Sequence, residues 1–250
     1  MKTKYVAILL AALSLAPLCV GLCAEPVDGE ALLREVDRNL EPPSYEMYRK
    51  LINIEPDGRK KEFILFMVRK GNEKVAGVFL SPASDKGRVM LRLGDNMWLY
   101  IPNVGKPIRI TSLQSATGGV FNNADILRID FAAEYTVDQI EDKGEEYLLH
   151  LKAKTRTVAY DRLRLWADKK RRLPVKIECL TEKLMLIKTM HFKDVKDFGE
   201  GVVRPSVIET DSPLYKDYKS VMIFSKIRGR ELKDEIFTLT FMPKLDTLRK

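Results

Sequence analysis

Few side chains in this sequence have the types and spacing that catalysis or metal binding requires. His150 and His191 are the two histidines, and they lie about forty residues apart. A structural zinc site takes four Cys or His ligands, and no Cys/His/Asp cluster in the sequence completes one. The sequence has no Gly-x-Ser-x-Gly, no His-Glu-x-x-His and no phosphate-binding loop. We therefore predict no catalytic residue, no metal and no cofactor, and a protein that is not an enzyme.

Two further chemical features have simple structural interpretations. Cys179 alternates with Ile177 along an apolar strand face, which favours a buried, unreactive thiol. The basic run Lys169-Lys170-Arg171-Arg172 lies between two predicted strands and is typical of a solvated turn. Its alternative function is contact with anionic lipid head groups, worth about 1 kcal/mol per charge near a membrane surface.

The N-terminus has the pattern of an export signal. Met1-Lys2-Thr3-Lys4 is basic, Tyr5–Leu18 is an apolar run, and small residues follow up to a cleavage site predicted after Ala24. A membrane span needs about 20 apolar residues, so the run favours a cleaved signal peptide over an anchor. We predict a signal peptide over residues 1–24 and a periplasmic location. Nucleic acid is then excluded as a partner.

Lipid anchoring is the alternative outcome of export. Cys19 and Cys23 could each be a lipidation site, but each follows a leucine where lipoprotein processing favours glycine or alanine. Cleavage after Ala24 would leave Cys179 as the single cysteine and lower the formal net charge from +8 to +6. No intramolecular disulfide is then possible, so the fold depends on its core. Residues 25–250 contain no linker-like stretch and predict a single domain.

The rest of the chain predicts one helix followed by many strands. Asp28 is the expected N-cap of an amphipathic helix that Pro42-Pro43 ends. Short strands with turn residues between them then indicate an antiparallel meander. The expected strands are Tyr45–Ile54, Lys61–Arg69, Lys74–Leu80, Arg88–Leu93, Met97–Ile101, Pro107–Thr111, Glu134–Ile140, Tyr147–Ala153, Arg162–Ala167, Pro174–Leu180, Leu184–Lys193, Val202–Thr210 and Ser220–Arg228.

Two segments depart from this pattern. Ser112–Arg128 carries Thr117-Gly118-Gly119 and a helical turn expected at Ala124–Leu127. Lys233–Leu248 predicts a short helix and a last strand. Several strands alternate between an apolar and a polar face, which indicates a curved sheet covered on one side by the few helices. Such a sheet can enclose packed side chains or a ligand, and patterning alone leaves both open.

One block of the sequence resembles a known family. Leu91–Pro102 followed by Lys106–Ile110 resembles the signature of outer-membrane lipoprotein-sorting, LolA-like proteins. Gly119–Ile126 is similar to the segment that precedes that family's short helix, and Tyr160–Trp166, Leu173–Lys176 and Arg204-Pro205 also agree. The resemblance extends from the first helix nearly to the C-terminus.

The resemblance implies a fold and a function. The fold is mainly β, a curved antiparallel half-barrel with short helices covering an apolar cavity. The function is a periplasmic carrier that binds acyl chains of lipoproteins or related lipids and moves them from the inner to the outer membrane. Implied partners are an inner-membrane transporter of the resistance-nodulation or ABC type, and transient contact with a membrane surface. Burial of acyl chain is worth about 0.8 kcal/mol per CH₂, so a ~16-carbon chain needs a cavity to cross water.

From the strand faces we predict which side chains line that cavity. Met97, Leu99 and Ile101 are expected to point inward because Leu91 and Leu93 continue an aliphatic surface. Phe121, Ile126 and Leu127 are expected to form an apolar lid. The predicted cavity residues are Phe63, Leu65, Met67, Val89, Leu91, Leu93, Met97, Leu99, Ile101, Leu163, Leu165, Val175 and Ile177.

Three other functions are compatible with parts of the sequence. The same fold could sense mislocalised lipoproteins and signal to a membrane partner, although no linker to a second domain is present. A lipid-modifying hydrolase would need a nucleophile and base, which the sequence lacks. A barrel with a filled core would act through its surface alone.

Overall fold

The structure is a computed structural model that describes residues 27–249. The predicted signal peptide and its cleavage after Ala24 lie outside the described residues. The first element is helix α1, Gly29–Leu40. Asp28 is its N-cap, as predicted, and its side chain accepts hydrogen bonds from the backbone N–H groups of Glu30 and Ala31. Such a cap satisfies N–H groups that have no partner within the helix.

The next elements form one antiparallel sheet whose strands agree with the thirteen predicted ones to within a few residues at each end. Strand order in the sheet is β6-β5-β4-β3-β2-β1-β13-β12-β11-β10-β9-β8-β7. The strands are β1 Ser44–Ile54, β2 Lys60–Lys70, β3 Lys74–Ser81, β4 Val89–Leu93, β5 Asn96–Tyr100, β6 Pro107–Ile110, β7 Tyr135–Asp142, β8 Glu146–Ala153, β9 Arg162–Asp168, β10 Pro174–Leu180, β11 Leu186–Asp197, β12 Val203–Asp211 and β13 Lys219–Gly229.

The sheet is curved and does not close, because β6 and β7 are its two edges and do not pair. The first and last strands, β1 and β13, pair with each other in the middle of the sheet. Residues 111–134, here called the lid segment, connect one edge to the other. This segment contains helix α2, Asn123–Ile126, and helix α3, Phe131–Glu134. The predicted helical turn corresponds to α2, whereas α3 was not anticipated.

Two apolar cores lie on opposite faces of the sheet. The inner core packs side chains of nearly every strand against α1 and the lid segment. Helix α1 contributes Leu32, Leu33, Val36 and Leu40, all buried. At about 25 cal/mol per Å² of apolar surface, this packing dominates the stability of the fold.

The outer core lies mainly on β2 to β5, with Tyr48 of β1 packed at its side. Phe66, Val68 and Leu91 on these strands pack against Phe237 and Leu245 from the end of the chain. The chain ends in two 3-10 helices, Asp234–Phe237 and Met242–Arg249. The predicted last strand is therefore wrong. Apolar residues of this segment are buried on the outer face of the sheet instead of joining a strand edge.

No helix within residues 27–249 is long and apolar enough to cross a membrane.

Candidate functional site

A small cavity lies between the lid segment and the inner face of the sheet. Its volume is about 40 Å³, enough for a few water molecules. Ligand pockets usually measure about 300–1,000 Å³, so the cavity is too small for a lipid in this conformation. Its apolar wall consists of Phe121, Ala124, Phe131, Ala159, Leu163, Met190, Phe192, Ile208, Met222 and Phe224, and its polar wall of Glu41, Arg49, Asp125, Arg128, Glu134, Tyr135 and Tyr160.

The first part of the lid segment is fastened to the middle of the sheet. Asn53 Nδ2 donates to the carbonyl oxygens of Thr117 and Gly118, both at 3.0 Å. Ser220 Oγ donates to Asn53 Oδ1 at 2.9 Å and accepts from Val120 N at 3.0 Å. Gly119 has φ +74°, and a Cβ there would lie 2.2 Å from Asn53 Oδ1. Only glycine permits this close approach between the lid segment and strands β1 and β13.

Helix α2 is held by a buried polar network. Its N-cap Asn122 and Asp125 form a capping box. Asp125 also pairs with Lys188 and accepts from the Tyr160 hydroxyl at 3.1 Å. Lys188 Nζ donates to the carbonyl oxygen of Val120 at 3.2 Å. These bonds hold in place the part of the cavity wall that Phe121 and Tyr160 form.

Two buried arginines of the sheet bond to backbone atoms at the end of α2. Arg49 on β1 donates from Nη1 to the carbonyl oxygen of Ile126 at 2.5 Å. Arg92 on β4 donates from Nη1 to the carbonyl oxygen of Leu127 at 3.3 Å and pairs with Glu134 of α3. Carbonyl groups at a helix C-terminus lack partners within the helix. The arginines supply these partners and so connect the lid segment to the sheet.

Glu41, just after α1, is the centre of a buried ionic network. Burial alone would raise the pKa of Glu41, but four surrounding guanidinium groups hold it well below its usual value. The Tyr45 hydroxyl also donates to Glu41 at 2.8 Å. The four partners and their N–O distances are Arg69 at 2.7 Å, Arg204 at 3.1 Å, Arg128 at 3.2 Å and Arg49 at 3.4 Å. Glu41 is thus ionised, and α1, β1, β2, β12 and the lid segment meet at its carboxylate.

Asp37, one turn earlier in α1, binds the N-terminus of α3. Its two carboxylate oxygens accept from Phe131 N at 2.8 Å and Ala132 N at 2.9 Å. Burial raises the pKa of Asp37 to about 6, although the nearby charge of Arg128 acts in the opposite direction. The second half of the lid segment is therefore attached to α1 as well as to the sheet.

A surface groove of about 430 Å³ lies outside the lid segment. Exposed Leu113, Leu214 and Tyr215 contribute to it, and its floor includes Phe121 and Tyr160. Because Phe121 and Tyr160 also line the inner cavity, these two rings separate the groove from the interior.

The structure places most of the predicted cavity residues on the inner face. Only Leu163 among them, together with the predicted lid residue Phe121, touches the cavity itself. The predicted lid residues Phe121, Ile126 and Leu127 are all buried in the inner core. Inner-core residues that lie away from the cavity are Phe63, Leu65, Met67, Met97, Leu99, Leu165 and Ile177, with Ile101 packed beside them. Their ligand-binding role stays a prediction.

Val89, Leu91 and Leu93 were assigned to the wrong face. Antiparallel partners share a face, and Leu91 is opposite Trp98, whereas Met90 is opposite Leu99. Val89 and Leu91 therefore belong to the outer core, with Leu93 packed against it. The chain end covers that face, so β4 is apolar on its outer side and buries Arg92 on its inner side.

Val175 also does not line the interior. The pairing of β10 with β9 shifts between Pro174 and Lys176. Such a β-bulge places one additional residue on the bulged strand and interrupts the alternation of faces. Val175 is 36% exposed, whereas Ile177 and Cys179 are buried as predicted. Burial raises the pKa of the Cys179 thiol, which makes it unreactive.

Sequence reasoning missed the buried arginines that anchor the lid segment. Arg49 follows Tyr45 and Met47 at period two and precedes Leu51 and Asn53, all on the inner face of β1. Arg69 and Arg92 likewise occupy inward positions on β2 and β4. The available signal was a charged residue at a position where the alternation of the strand predicts an apolar one. Such an arginine indicates a buried partner, because a buried charge needs one.

The basic run is a turn between β9 and β10. Lys169 pairs with Asp142, Arg172 lies 3.6 Å from Glu35, and both cations stand over the Tyr147 ring. These contacts favour the structural interpretation of the run.

The two histidines lie on separate strands, His150 on β8 and His191 on β11. His150 lies 2.6 Å from Glu141. Within residues 27–249, no three His, Cys, Asp or Glu side chains are grouped to hold a metal ion.

Comparisons with known proteins agree with this fold. A family model described as an uncharacterized "-like" protein matches residues 71–244, more than half of the chain. A search of curated proteins finds no match. The crystal structure of a LolA superfamily protein from Nitrosomonas europaea is 27% identical, with a TM-score of 0.78, and the match covers 86% of this chain and all of that chain.

Two further crystal structures show the same fold at lower identity. A putative outer membrane lipoprotein-sorting protein domain from Vibrio parahaemolyticus is 18% identical with a TM-score of 0.73, covering 86% of this chain and 98% of that one. A DUF1329 family protein from Desulfovibrio piger is 20% identical with a TM-score of 0.74, covering 86% and 97%. The chain therefore belongs to the family that the matching family model describes, and its half-open sheet with the lid segment between its edges has the LolA-like fold of these structures.

Proposed function

We propose that the mature protein is a periplasmic carrier that binds acyl chains of lipoproteins or related lipids beneath its lid segment. It moves them from the inner to the outer membrane and receives them from an inner-membrane transporter of the resistance-nodulation or ABC type. The observation that carries this proposal is an apolar interior closed by a separate segment. That segment is attached to the sheet through hydrogen bonds and ion pairs, and it joins neither sheet edge as a strand.

A comparison of free energies supports a lid segment that moves to admit the acyl chain. The cavity of about 40 Å³ is far below the size of an acyl chain, so loading requires the lid segment to shift. Burying a ~16-carbon chain at about 0.8 kcal/mol per CH₂ yields more than ~10 kcal/mol. Each hydrogen bond that opening breaks contributes about 0.5–3 kcal/mol, the larger values applying to charged groups. An acyl chain can therefore offset the loss of the bonds from Asn53, Arg49 and Arg92.

The groove outside Phe121 supports an entry route. It lies directly against the ring that closes the cavity, and Leu113, Leu214 and Tyr215 make it apolar. A displacement of Phe121 would join the groove of about 430 Å³ to the interior. The joined volume falls in the range of lipid-sized pockets.

Transient membrane contact is part of the proposal. The β10–β11 and β12–β13 turns lie at the same end of the antiparallel sheet. The first exposes Leu184 and Met185, and the second exposes Leu214 and Tyr215. Exposed Lys183 and Lys216 adjoin these pairs. Apolar side chains flanked by lysines suit an anionic membrane surface.

The first test is native mass spectrometry of the mature protein, purified from its own periplasm without detergent and extracted for lipid in parallel. Bound acyl lipid or lipopeptide would support the carrier function and identify the cargo class. An unliganded mass combined with no uptake of a fluorescent fatty acid would instead indicate a filled barrel that acts through its surface.

A further inference from the structure

The ionic network around Glu41, at the polar wall of the cavity, carries more positive than negative charge. Seven ionisable side chains form this network: four arginines and three carboxylates. One positive charge remains in excess even when every carboxylate is ionised. The arginines are Arg49, Arg69, Arg128 and Arg204, and the carboxylates are Asp37, Glu41 and Asp130.

The other charged groups at the cavity do not neutralise this excess. Asp125 and Glu134 also line the cavity, but they pair with Lys188 and Arg92, so neither pair carries net charge. Burial lowers the pKa of Arg204 to about 10, and the charges of Arg128 and Arg49 act in the same direction, against that of Glu41. A buried cation without a full counter-charge is unfavourable, and an anion placed beside it would relieve that cost.

Two of the four arginines reach the cavity, Arg49 and Arg128. The Arg49 side chain is 1% exposed, and its Nη1 is bonded to the carbonyl oxygen of Ile126. Arg128 Nη2 is buried and has no hydrogen bond of good geometry among residues 27–249, although it lies 3.2 Å from a Glu41 oxygen. Arg128 follows α2 and is held by Asp37 and Glu41, so donors of both side chains can face a ligand once α2 moves away.

We infer that the cargo is an acyl lipid with an anionic head, a carboxylate or a phosphate, which Arg49 and Arg128 bind at the polar wall while the chain occupies the apolar wall. This inference rests on the proposed carrier function and specifies its cargo. When α2 moves away, Arg49 loses its acceptor at Ile126, and the anionic head replaces it. Lid carbonyl and ligand head thus compete for one donor, so an anionic head favours the open lid segment more than a neutral head does.

The test compares three amphiphiles with the same 16-carbon chain: palmitate, hexadecyl phosphate and hexadecanol. Binding to the mature, delipidated protein is measured by displacement of a neutral fluorescent acyl probe. Charge-assisted hydrogen bonds predict that at least one anionic ligand binds about 10- to 100-fold more tightly than hexadecanol. Preference for palmitate or for hexadecyl phosphate then identifies the head as a carboxylate or a phosphate.

Arginine variants test whether Arg49 and Arg128 cause the preference for an anionic head. Arg128→Gln and Arg49→Gln should each reduce the anionic preference, the ratio of the hexadecanol Kd to the Kd of the anionic ligand, to a few-fold. Arg162→Gln, on the outer side of β9, is the control and should retain the full preference. Because Arg128 is the more exposed of the two at 14%, its variant keeps the test valid if Arg49→Gln does not fold.

The outcomes separate the two proposals. Equal binding of all three amphiphiles by the wild-type protein would overturn the anionic-head inference and leave the carrier function standing. No binding of any amphiphile or of the probe would contradict the carrier function itself. An anionic preference that both arginine variants retain would also overturn the assignment to Arg49 and Arg128.

Discussion

The Nη1 atom of Arg49, buried in the middle of the sheet, donates a hydrogen bond of 2.5 Å to the backbone carbonyl oxygen of Ile126 in the lid segment. The same guanidinium group lies 3.4 Å from Glu41, which follows helix α1. One side chain therefore connects the sheet, the helix and the segment that covers the interior. Opening the lid segment at α2 breaks this bond.

Replacing Arg49 should loosen the lid segment more than the sheet. Arg49→Met keeps an unbranched side chain but leaves the Ile126 carbonyl without its donor. Glu41 retains three guanidinium partners, so we expect a loss of about 1–3 kcal/mol in the free energy of unfolding. Hydrogen exchange should accelerate at the amides of residues 123–129 and change little in β2 and β3.

Arg162→Met is the matched control, because its ion pairs with Asp138 and Glu182 lie on the outer surface. Unchanged protection of residues 123–129 in Arg49→Met would show that Arg49 does not hold the lid segment.

Gly119 and Gly118 offer a matched pair of substitutions. Both have positive φ, +74° and +71°, so alanine is strained at either position. A Cβ at Gly119 would lie 2.2 Å from Asn53 Oδ1, whereas a Cβ at Gly118 meets no atom within 4 Å. Gly119→Ala should displace the lid segment from β1 and increase uptake of a fluorescent acyl probe. Gly118→Ala should show only the shared backbone strain. Equal probe uptake by the two variants would contradict a role of the Gly119–Asn53 contact in holding the lid segment on β1.

Phe121 separates the surface groove from the cavity, so its removal should join them. Phe121→Ala is expected to lose about 3–5 kcal/mol of stability, as for other buried phenylalanines, and to change acyl-probe uptake. Phe237→Ala in the outer core should lose similar stability without changing uptake, because Phe237 lies on the opposite face. If Phe121→Ala left lipid binding unchanged, the lid role of Phe121 would be wrong.

The lowered pKa of Glu41 predicts that the protein loses stability in acid. Its folded-state pKa lies well below the ordinary value of 4.5, so the unfolded chain binds the proton more readily. The stabilisation is present above pH 4.5 and is lost as the pH falls below it. Glu41→Gln should be less stable than wild type at pH 6, and the difference should shrink towards pH 3. Urea unfolding at several pH values measures this, and a constant difference would contradict an ionised Glu41.

The raised pKa of Asp37 predicts that its contribution to the free energy of unfolding falls as the pH rises, which is the opposite of the effect of Glu41. Burial raises its folded-state pKa from 3.8 to about 6, so the folded protein binds the proton more readily. The Asp37 contribution is therefore most favourable below pH 4 and is lost as the pH rises through 6, by about 2–3 kcal/mol. Asp37→Asn should lack this slope between pH 4 and 6, as measured by urea unfolding. An identical pH profile for wild type and variant would mean that the Asp37 pKa is not raised.

The proposed membrane contact predicts that binding to anionic vesicles depends on four exposed side chains. Leu184→Ser combined with Met185→Ser should weaken flotation with vesicles that contain anionic phospholipid, and Leu214→Ser with Tyr215→Ser should act similarly. Stability should change little because these side chains are exposed. Val104→Ser, another exposed apolar residue, is the control in a different turn. Equal flotation of all variants would remove these turns from the proposed contact.

The local sequence predicted the strands well because their signals are local. Period-two alternation and turn residues mark each strand, as in β9, where Leu163 and Leu165 are buried between partly exposed Arg162 and Arg164. The N-cap at Asp28 and the turn of α2 are likewise determined by neighbouring residues. The resemblance to LolA-like proteins rested on such local blocks, and the comparisons confirmed it.

Other features were decided only by the tertiary structure. Alternation shows that two faces differ, but the partner segment determines which is buried, so Leu91 and Leu93 were assigned to the wrong face. The chain end that covers them folds back from more than 130 residues away in sequence. A bulge at Val175 shifts the faces without changing the pattern of residue types.

The buried ionic network is the clearest case. An arginine in a strand is ordinarily exposed, and although the period-two position of Arg49 hints at burial, no local feature shows which groups would neutralise Arg49 or Arg204. Their burial is possible because Glu41, Asp37 and the carbonyl oxygens of the lid segment converge on them from distant parts of the chain. The sequence by itself determined the strands, the turns and the apolar interior. Only the tertiary structure decided what closes that interior, because a charge is stable inside a protein only where its partners meet.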